Sequence, residues 1–169
     1  MKRLVMLSAA CGVGKTTIRD AIEESGLLED YLCVDTDGLG INWWDYAGTD
    51  HESKFTDDCL LAAEKLAGDK NILFVGCVNP IDFYGKINLP PSITSSYLIG
   101  MTCSAEEVAK RLKARPAERN CGSDEFIAGQ VEYNSWFQRN GSKFQFFIDN
   151  TDLTIEETAK RIAEFIRSN

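Results

Sequence analysis

The chain has 169 residues, a net charge of −8 and 44% apolar residues, which suits one domain able to bury roughly two thirds of its unfolded surface. The acidic balance excludes a general nucleic-acid binder, which carries a basic surface. The longest apolar stretch is far too short to cross a bilayer.

Residues 3 to 7 read as a short buried strand, followed by a Gly-rich loop and a helix from about Lys15 to Glu24, with Ile18 and Ile22 inside and Gly26 as a stop. Tyr31 to Val34 is a second strand that leads into Asp35-Thr36-Asp37-Gly38. Leu39 to Ser53, with Trp43, Trp44 and Tyr46, has no clear period and reads as a loop or short helices over a site. A helix from about Thr56 to Leu66 precedes a central strand, Asn71 to Val78, which Asn79-Pro80 ends. After a variable stretch, Ser96 to Cys103 is a fourth strand. Ser104 to Glu107 is a capping box that opens a helix through about Lys113, and Pro116 stops it. Residues 115 to 123 read as an exposed mobile segment, and Ser123 caps a helix that ends before Gly141. Phe144 to Asp149 is the fifth strand, and Thr154 to Glu157 is a second capping box before a final helix buried along Ile155, Ala159, Ile162 and Ile166.

Five apolar strands alternating with helices imply a three-layer α/β/α domain with a parallel sheet, since every parallel connection must cross over. No linker or repeat divides residues 1–169, so one domain is expected, with residues 115–123 as its lid. For a chain that opens with a strand and a loop of this kind, the expected strand order is 2-3-1-4-5. Six cysteines, all at least eighteen residues apart, include no C-x-x-C pair to suggest a zinc or redox site; several sit within apolar runs as small core residues, which points to a reducing compartment. No charged and apolar leader precedes the first strand, so a cytoplasmic protein without membrane or nucleic-acid partners is expected.

Ser8 to Thr17, Ser-Ala-Ala-Cys-Gly-Val-Gly-Lys-Thr-Thr, carries the clearest chemistry. Gly12 and Gly14 let backbone N–H groups approach phosphate oxygens, while Cys11, Val13 and Thr17 complete the cradle and the following helix presents its positive end. Lys15 would reach the β and γ oxygens of a bound ATP, and the Thr16 hydroxyl would ligate Mg²⁺. The pattern Gly-x4-Gly-Lys-[Ser/Thr] is met except at Ala9, where a residue that disfavours positive φ is expected to reshape the entry. A chance Gly-rich turn is the plainer reading.

Opposite the loop, Asp35 and Asp37 stand at i and i+2 and point the same way if the backbone stays extended. Asp35 then belongs near the metal, and Asp37 serves as base or acceptor ligand. A polar turn is the alternative. Trp43 and Trp44 either stack on the acceptor's ring or cap the core, one of them being structural. Asn79 is placed for a polar contact near the γ-phosphate or, equally, as a turn residue. Arg111, Arg115 and Arg119 recur every four residues, hence on one helical face up to Pro116, whereas for Lys110 and Lys113 a solvated face is the plainer alternative. Arg115 is the first choice for balancing charge on the transferred group, with Arg119 beside it. The lone histidine, His51, lies between two acids in a polar loop and has no triad or metal to serve.

The Gly-Val-Gly-Lys-Thr-Thr loop, the Asp-Thr-Asp after the second strand, Arg111 to Arg115 with its sequel, and the Ile148-Asp-Asn-Thr-Asp-Leu-Thr terminus together resemble the P-loop nucleoside and nucleotide kinase superfamily over nearly the whole chain. That superfamily includes adenylate, shikimate and gluconate kinases. The resemblance implies the 2-3-1-4-5 sheet, ATP and Mg²⁺ as cofactors, and a closing lid. From adenylate kinases it implies adenine contact by Arg111 and phosphate contact by Arg115; from shikimate kinases, metal service by Asp35 and the acceptor hydroxyl at Asp37. Val75 to Pro80 departs from the adenylate kinase pattern, lacking its acid and its arginine for a monophosphate, and the helix after the lid has no arginine before Arg139. The expected activity is phosphoryl transfer to a nucleoside or nucleoside monophosphate. The alternatives are a kinase of another hydroxyl-bearing metabolite, or a nucleotide-binding switch without an acceptor.

Overall fold

The computed structural model describes residues 1–169. In chain order the main elements are β1 (Lys2–Ser8), α1 (Lys15–Glu24), β2 (Tyr31–Asp35), α2 (Phe55–Leu66), β3 (Asn71–Gly76), α3 (Pro80–Gly85), β4 (Ile93–Thr102), α4 (Ala105–Lys113), α5 (Asp124–Arg139), β5 (Phe146–Asp149) and α6 (Ile155–Ser168). The five strands form one parallel sheet in the order β2-β3-β1-β4-β5, as the sequence predicts. β1 lies at its centre, with Leu4 to Ser8 buried.

Alternation along β1 divides the core into two faces. Val5 and Leu7 join the cluster that holds Ile18 and Ile22 of α1, Val108 and Leu112 of α4, and Ile162 and Ile166 of α6. Leu4 and Met6 join the other, with Cys59, Leu60 and Ala63 of α2, Phe83 of α3 and Phe137 of α5. Each such side chain contributes about 1.5 to 3 kcal/mol on burial. This two-sided core holds the carboxyl ends of β1, β2 and β3 in line, so the turns leaving them share one edge.

The differences from the sequence reading lie mostly at element ends. β3 stops at Gly76 rather than Val78, because Asn79 opens α3, an element the sequence reading leaves as variable: its side chain accepts from the Asp82 amide with Pro80 in the first turn. β4 begins earlier, at Ile93, and β5 later, at Phe146, after a 3-10 turn over Gly141–Lys143. The irregular stretch after β2 resolves into 3-10 turns at Asp37–Leu39, Trp43–Asp45 and Glu52–Lys54. The capping box at Thr154 and Glu157 is complete. At Ser104 only half of one forms: the hydroxyl accepts from the Glu107 amide, but the Glu107 carboxylate turns to Lys110 and Arg111.

Candidate functional site

The loop between β1 and α1 is held open from several sides. Gly12 and Gly14 have φ of 87° and 106°, a region that L side chains avoid. A Cβ on Gly12 would lie 2.9 Å from Leu112 Cγ and 3.1 Å from the Val108 carbonyl, so α4 packs directly on the loop. Arg111 Nη1 donates to the Val13 carbonyl at 2.8 Å, and Asn150 Nδ2 reaches the same oxygen at 3.4 Å. From α5, Gln130 Oε1 accepts from the Cys11 amide at 2.8 Å. No side chain caps the start of α1 and no acid stands in its first turn, leaving its first amides and positive dipole end for an external anion. Ala9 is corrected: it is buried without a positive φ, its amide donating to the Gly76 carbonyl, so this place does not need glycine.

Lys15 extends across the loop, where Nζ donates to the Ala9 and Ala10 carbonyls at 2.8 Å each. Those bonds keep the ammonium on the loop's own backbone, the surface a polyphosphate would occupy. Thr16 Oγ1 lies 3.4 Å from Asp35 Oδ2, and Arg19 Nη1 meets that same oxygen at 2.6 Å. Asp35 Oδ1 accepts from the Gly38 amide at 2.9 Å. Hydroxyl and carboxylate form an oxygen pair suited to a hard divalent cation, which for Mg²⁺ is typically completed by phosphate oxygens and water. No group of three or more His, Cys, Asp or Glu gathers to hold a metal without such help.

Asp35 and Asp37 do not lie side by side on an extended backbone, as the sequence reading has them. Thr36 turns to φ −61° and ψ −37°, which starts the 3-10 turn and carries Asp37 away from its neighbour. Asp35 is 8% exposed. Asp37 stands in solvent and pairs with Arg119 Nη1 at 3.0 Å.

The arginine ladder is likewise not one face. α4 ends at Lys113, Arg115 lies past its cap, and Arg119 closes a 3-10 turn over Ala117–Arg119. The three therefore separate: Arg111 grips the loop, Arg115 Nη1 approaches Cys121 Sγ at 3.9 Å, and Arg119 meets the Asp37 carboxylate. Thr17 is exposed on the first turn of α1.

Asn79 is committed to its helix, accepting from the Asp82 amide and donating to Asp82 Oδ2 at 2.7 Å. Its polar contact near a γ-phosphate gives way to a capping role. Trp43 packs edge-on against Phe55, with ring centroids 5.0 Å apart, and Tyr46 donates to Asp58. Trp44, 64% exposed, has no aromatic partner. His51 is exposed beside Asp50.

Three contributors escape the sequence reading as site residues. Arg19 sits on α1 without a motif, Gln130 is one polar position on a helix, and Asn150 follows β5. Asn150 is buried, and its Oδ1 has no partner.

With this geometry in view, the chain is similar in structure to the shikimate kinase of Bacteroides thetaiotaomicron (TM-score 0.63, 14% identity, covering 97% of this chain and 98% of that one). The fold is that of the P-loop kinases. A shikimate kinase from Acinetobacter baumannii in complex with shikimate matches with a TM-score of 0.60, 12% identity and coverage of 100% and 94%. The tunicamycin resistance protein of Deinococcus radiodurans matches at 0.62, 15%, 98% and 96%. No protein-family model and no curated protein sequence matches the chain. No helix is long and apolar enough to cross a membrane.

Proposed function

We propose that this protein is an ATP- and Mg²⁺-dependent small-molecule kinase that transfers the γ-phosphoryl group to a hydroxyl. The observation that carries the reading is the loop: two glycines at positive φ, an uncapped helix start, and Lys15 lying across the backbone. Together these form a polyphosphate cradle with its counter-charge in place.

Each residue then has one task. The amides of the loop and of the first turn bind the β and γ oxygens, and Lys15 exchanges its two carbonyls for them. Thr16 and Asp35 would hold Mg²⁺, which supplies charge neutralisation on the phosphate oxygens when bound. Arg19 pairs with Asp35 and keeps its carboxylate aimed toward Thr16. Asp37 orients the acceptor hydroxyl and takes its proton. Residues 115–123 act as the lid. The Arg119–Asp37 pair is exposed, so it is worth only about 0 to 1 kcal/mol, a latch weak enough for Arg119 to leave when a phosphoryl group offers it charge. Arg115 serves the same developing charge from the loop side.

The cytoplasm is the proposed compartment. The acceptor we favour is an uncharged ring bearing a hydroxyl, because the arginines that grip a monophosphate in adenylate kinases have no counterpart here. A nucleoside fits through Trp44, and the neighbour solved with shikimate supports a hydroxylated ring acid as the rival. A panel of nucleosides, nucleoside monophosphates and hydroxy acids, followed by ADP release, separates them. Nucleotide binding without acceptor-dependent release by any compound would overturn the kinase reading in favour of a switch module.

A further inference from the structure

One pair of nucleophiles beside the loop has no task in phosphoryl transfer. Cys11 lies within the loop and Cys77 just past β3, 66 residues apart in sequence, yet their sulfurs are 4.0 Å apart. Both stand outside regular structure, and a disulfide bond of about 2.05 Å needs an approach of only about 2 Å. The remaining thiols are worse placed. Cys59 and Cys103 are buried, and burial pushes Cys59 up to about 12 and Cys33 up to about 11. Cys77 is exposed and moves the other way: its contact with the Cys11 sulfur, in which either thiol can donate, and then the charges of Lys15 and Arg115 draw its thiol below the ordinary range, while Cys11 is raised by the same contact. Tyr133 fixes the segment by donating to the Cys77 carbonyl at 2.8 Å.

We propose that Cys11 and Cys77 form an oxidation site, which a peroxide closes into a disulfide tying the phosphate loop to the end of β3. The Cys77 thiolate attacks one peroxide oxygen and the O–O bond breaks. The departing hydroxide takes a proton, giving water and a sulfenic acid on Cys77. The Cys11 sulfur then attacks the Cys77 sulfur, the S–O bond breaks, and hydroxide leaves with the Cys11 proton as a second water. Two thiols lose two electrons in all, and one peroxide becomes two waters.

The consequence for activity rests on the kinase reading. Closing the bond pulls Cys11 away from the position in which Gln130 holds its amide, and it distorts the cradle.

The test oxidises the full chain with hydrogen peroxide, alkylates the remaining thiols, and reads intact mass and non-reduced peptides. The expected product is lighter by two hydrogens before alkylation, carries two fewer alkyl groups, contains a Cys11–Cys77 linked peptide, and reverts with dithiothreitol. Cys77→Ser should abolish the link and Cys121→Ser should retain it, with the wild-type peptide map deciding the matter if a variant fails to fold. Mg·ATP added beforehand should slow the link at least tenfold, and the linked form should bind nucleotide at least tenfold more weakly. A link through another cysteine, or oxygen accumulating on Cys77 while Cys11 stays free, overturns the proposal. So does a linked form that binds nucleotide as well as the reduced one. A reduced protein that binds no nucleotide overturns the kinase reading, and the mass result then still stands in support of the thiol pair.

Discussion

Gly12→Ala perturbs the point where the loop meets α4, and two separate costs follow from the coordinates. The residue holds φ at 87°, which costs an L side chain about 1 to 2 kcal/mol. Its new methyl group would sit 2.9 Å from Leu112 Cγ and 3.1 Å from the backbone oxygen of Val108. Leu112 is fully buried and the oxygen belongs to a helix, so neither gives way freely. Overpacking of this kind costs about 1 to 3 kcal/mol, for a total of about 2 to 5 kcal/mol. Gly40 is the matched control, because it has φ 68° but nothing within 4 Å of the place its methyl group would take; Gly40→Ala should cost only the first amount, about 1 to 2 kcal/mol. With a urea slope of about 2 kcal/mol/M, the midpoint should fall by roughly 1 to 2.5 M for Gly12→Ala and by less than about 1 M for Gly40→Ala. Calorimetry should show Mg·ATP affinity reduced only in the first variant. Equal midpoints would refute the packing of the loop on α4, and unchanged affinity in Gly12→Ala would refute the loop's approach to phosphate.

Arg19→Met should destabilise the protein by about 3 kcal/mol, because it strands a carboxylate that is mostly buried; chemical denaturation measures this, and a loss under about 1 kcal/mol would mean that Asp35 is satisfied without the arginine. Asp37→Asn should lower turnover with an acceptor far more than ATP affinity, and the opposite split would move Asp37 to the nucleotide side. Thr154→Ala should cost about 1 kcal/mol in urea unfolding. The Glu157 carboxyl is held below its ordinary range by the Thr154 backbone amide and then the Thr154 hydroxyl. Its contribution is therefore present above the unfolded carboxylate's pKa and lost as pH falls through the lower folded value. Glu157→Gln should flatten stability across that acid window, and an unchanged profile would contradict the reciprocal cap.

Much of this architecture is legible because its signals are local. β1, the loop and α1 follow from an apolar run, two glycines and a helical stripe; the alternation of elements implies the parallel sheet, while its order is expected from the opening strand and loop and from the family resemblance. The final helix announces itself by a capping box at Thr154 and Glu157. Where the reading misplaces a residue, a local alternative wins: Thr36 enters a helical turn and separates Asp35 from Asp37, and Asn79 caps α3 because a helix start rewards an Asn before Pro80. What stays hidden is pairing at long range. No spacing in the chain announces that Gln130 meets the Cys11 amide, that Arg119 meets Asp37, or that Cys77 lies against Cys11, since only the closed sheet brings those positions together.

The most direct measurement is a calorimetric titration of Mg·ATP into the wild-type chain and into Lys15→Ala, with thermal unfolding of both as a check on folding. The account predicts saturable heat for the wild type, binding at least tenfold weaker for the variant, and similar unfolding temperatures. Equal affinities, or no heat from a folded wild-type protein, would contradict it.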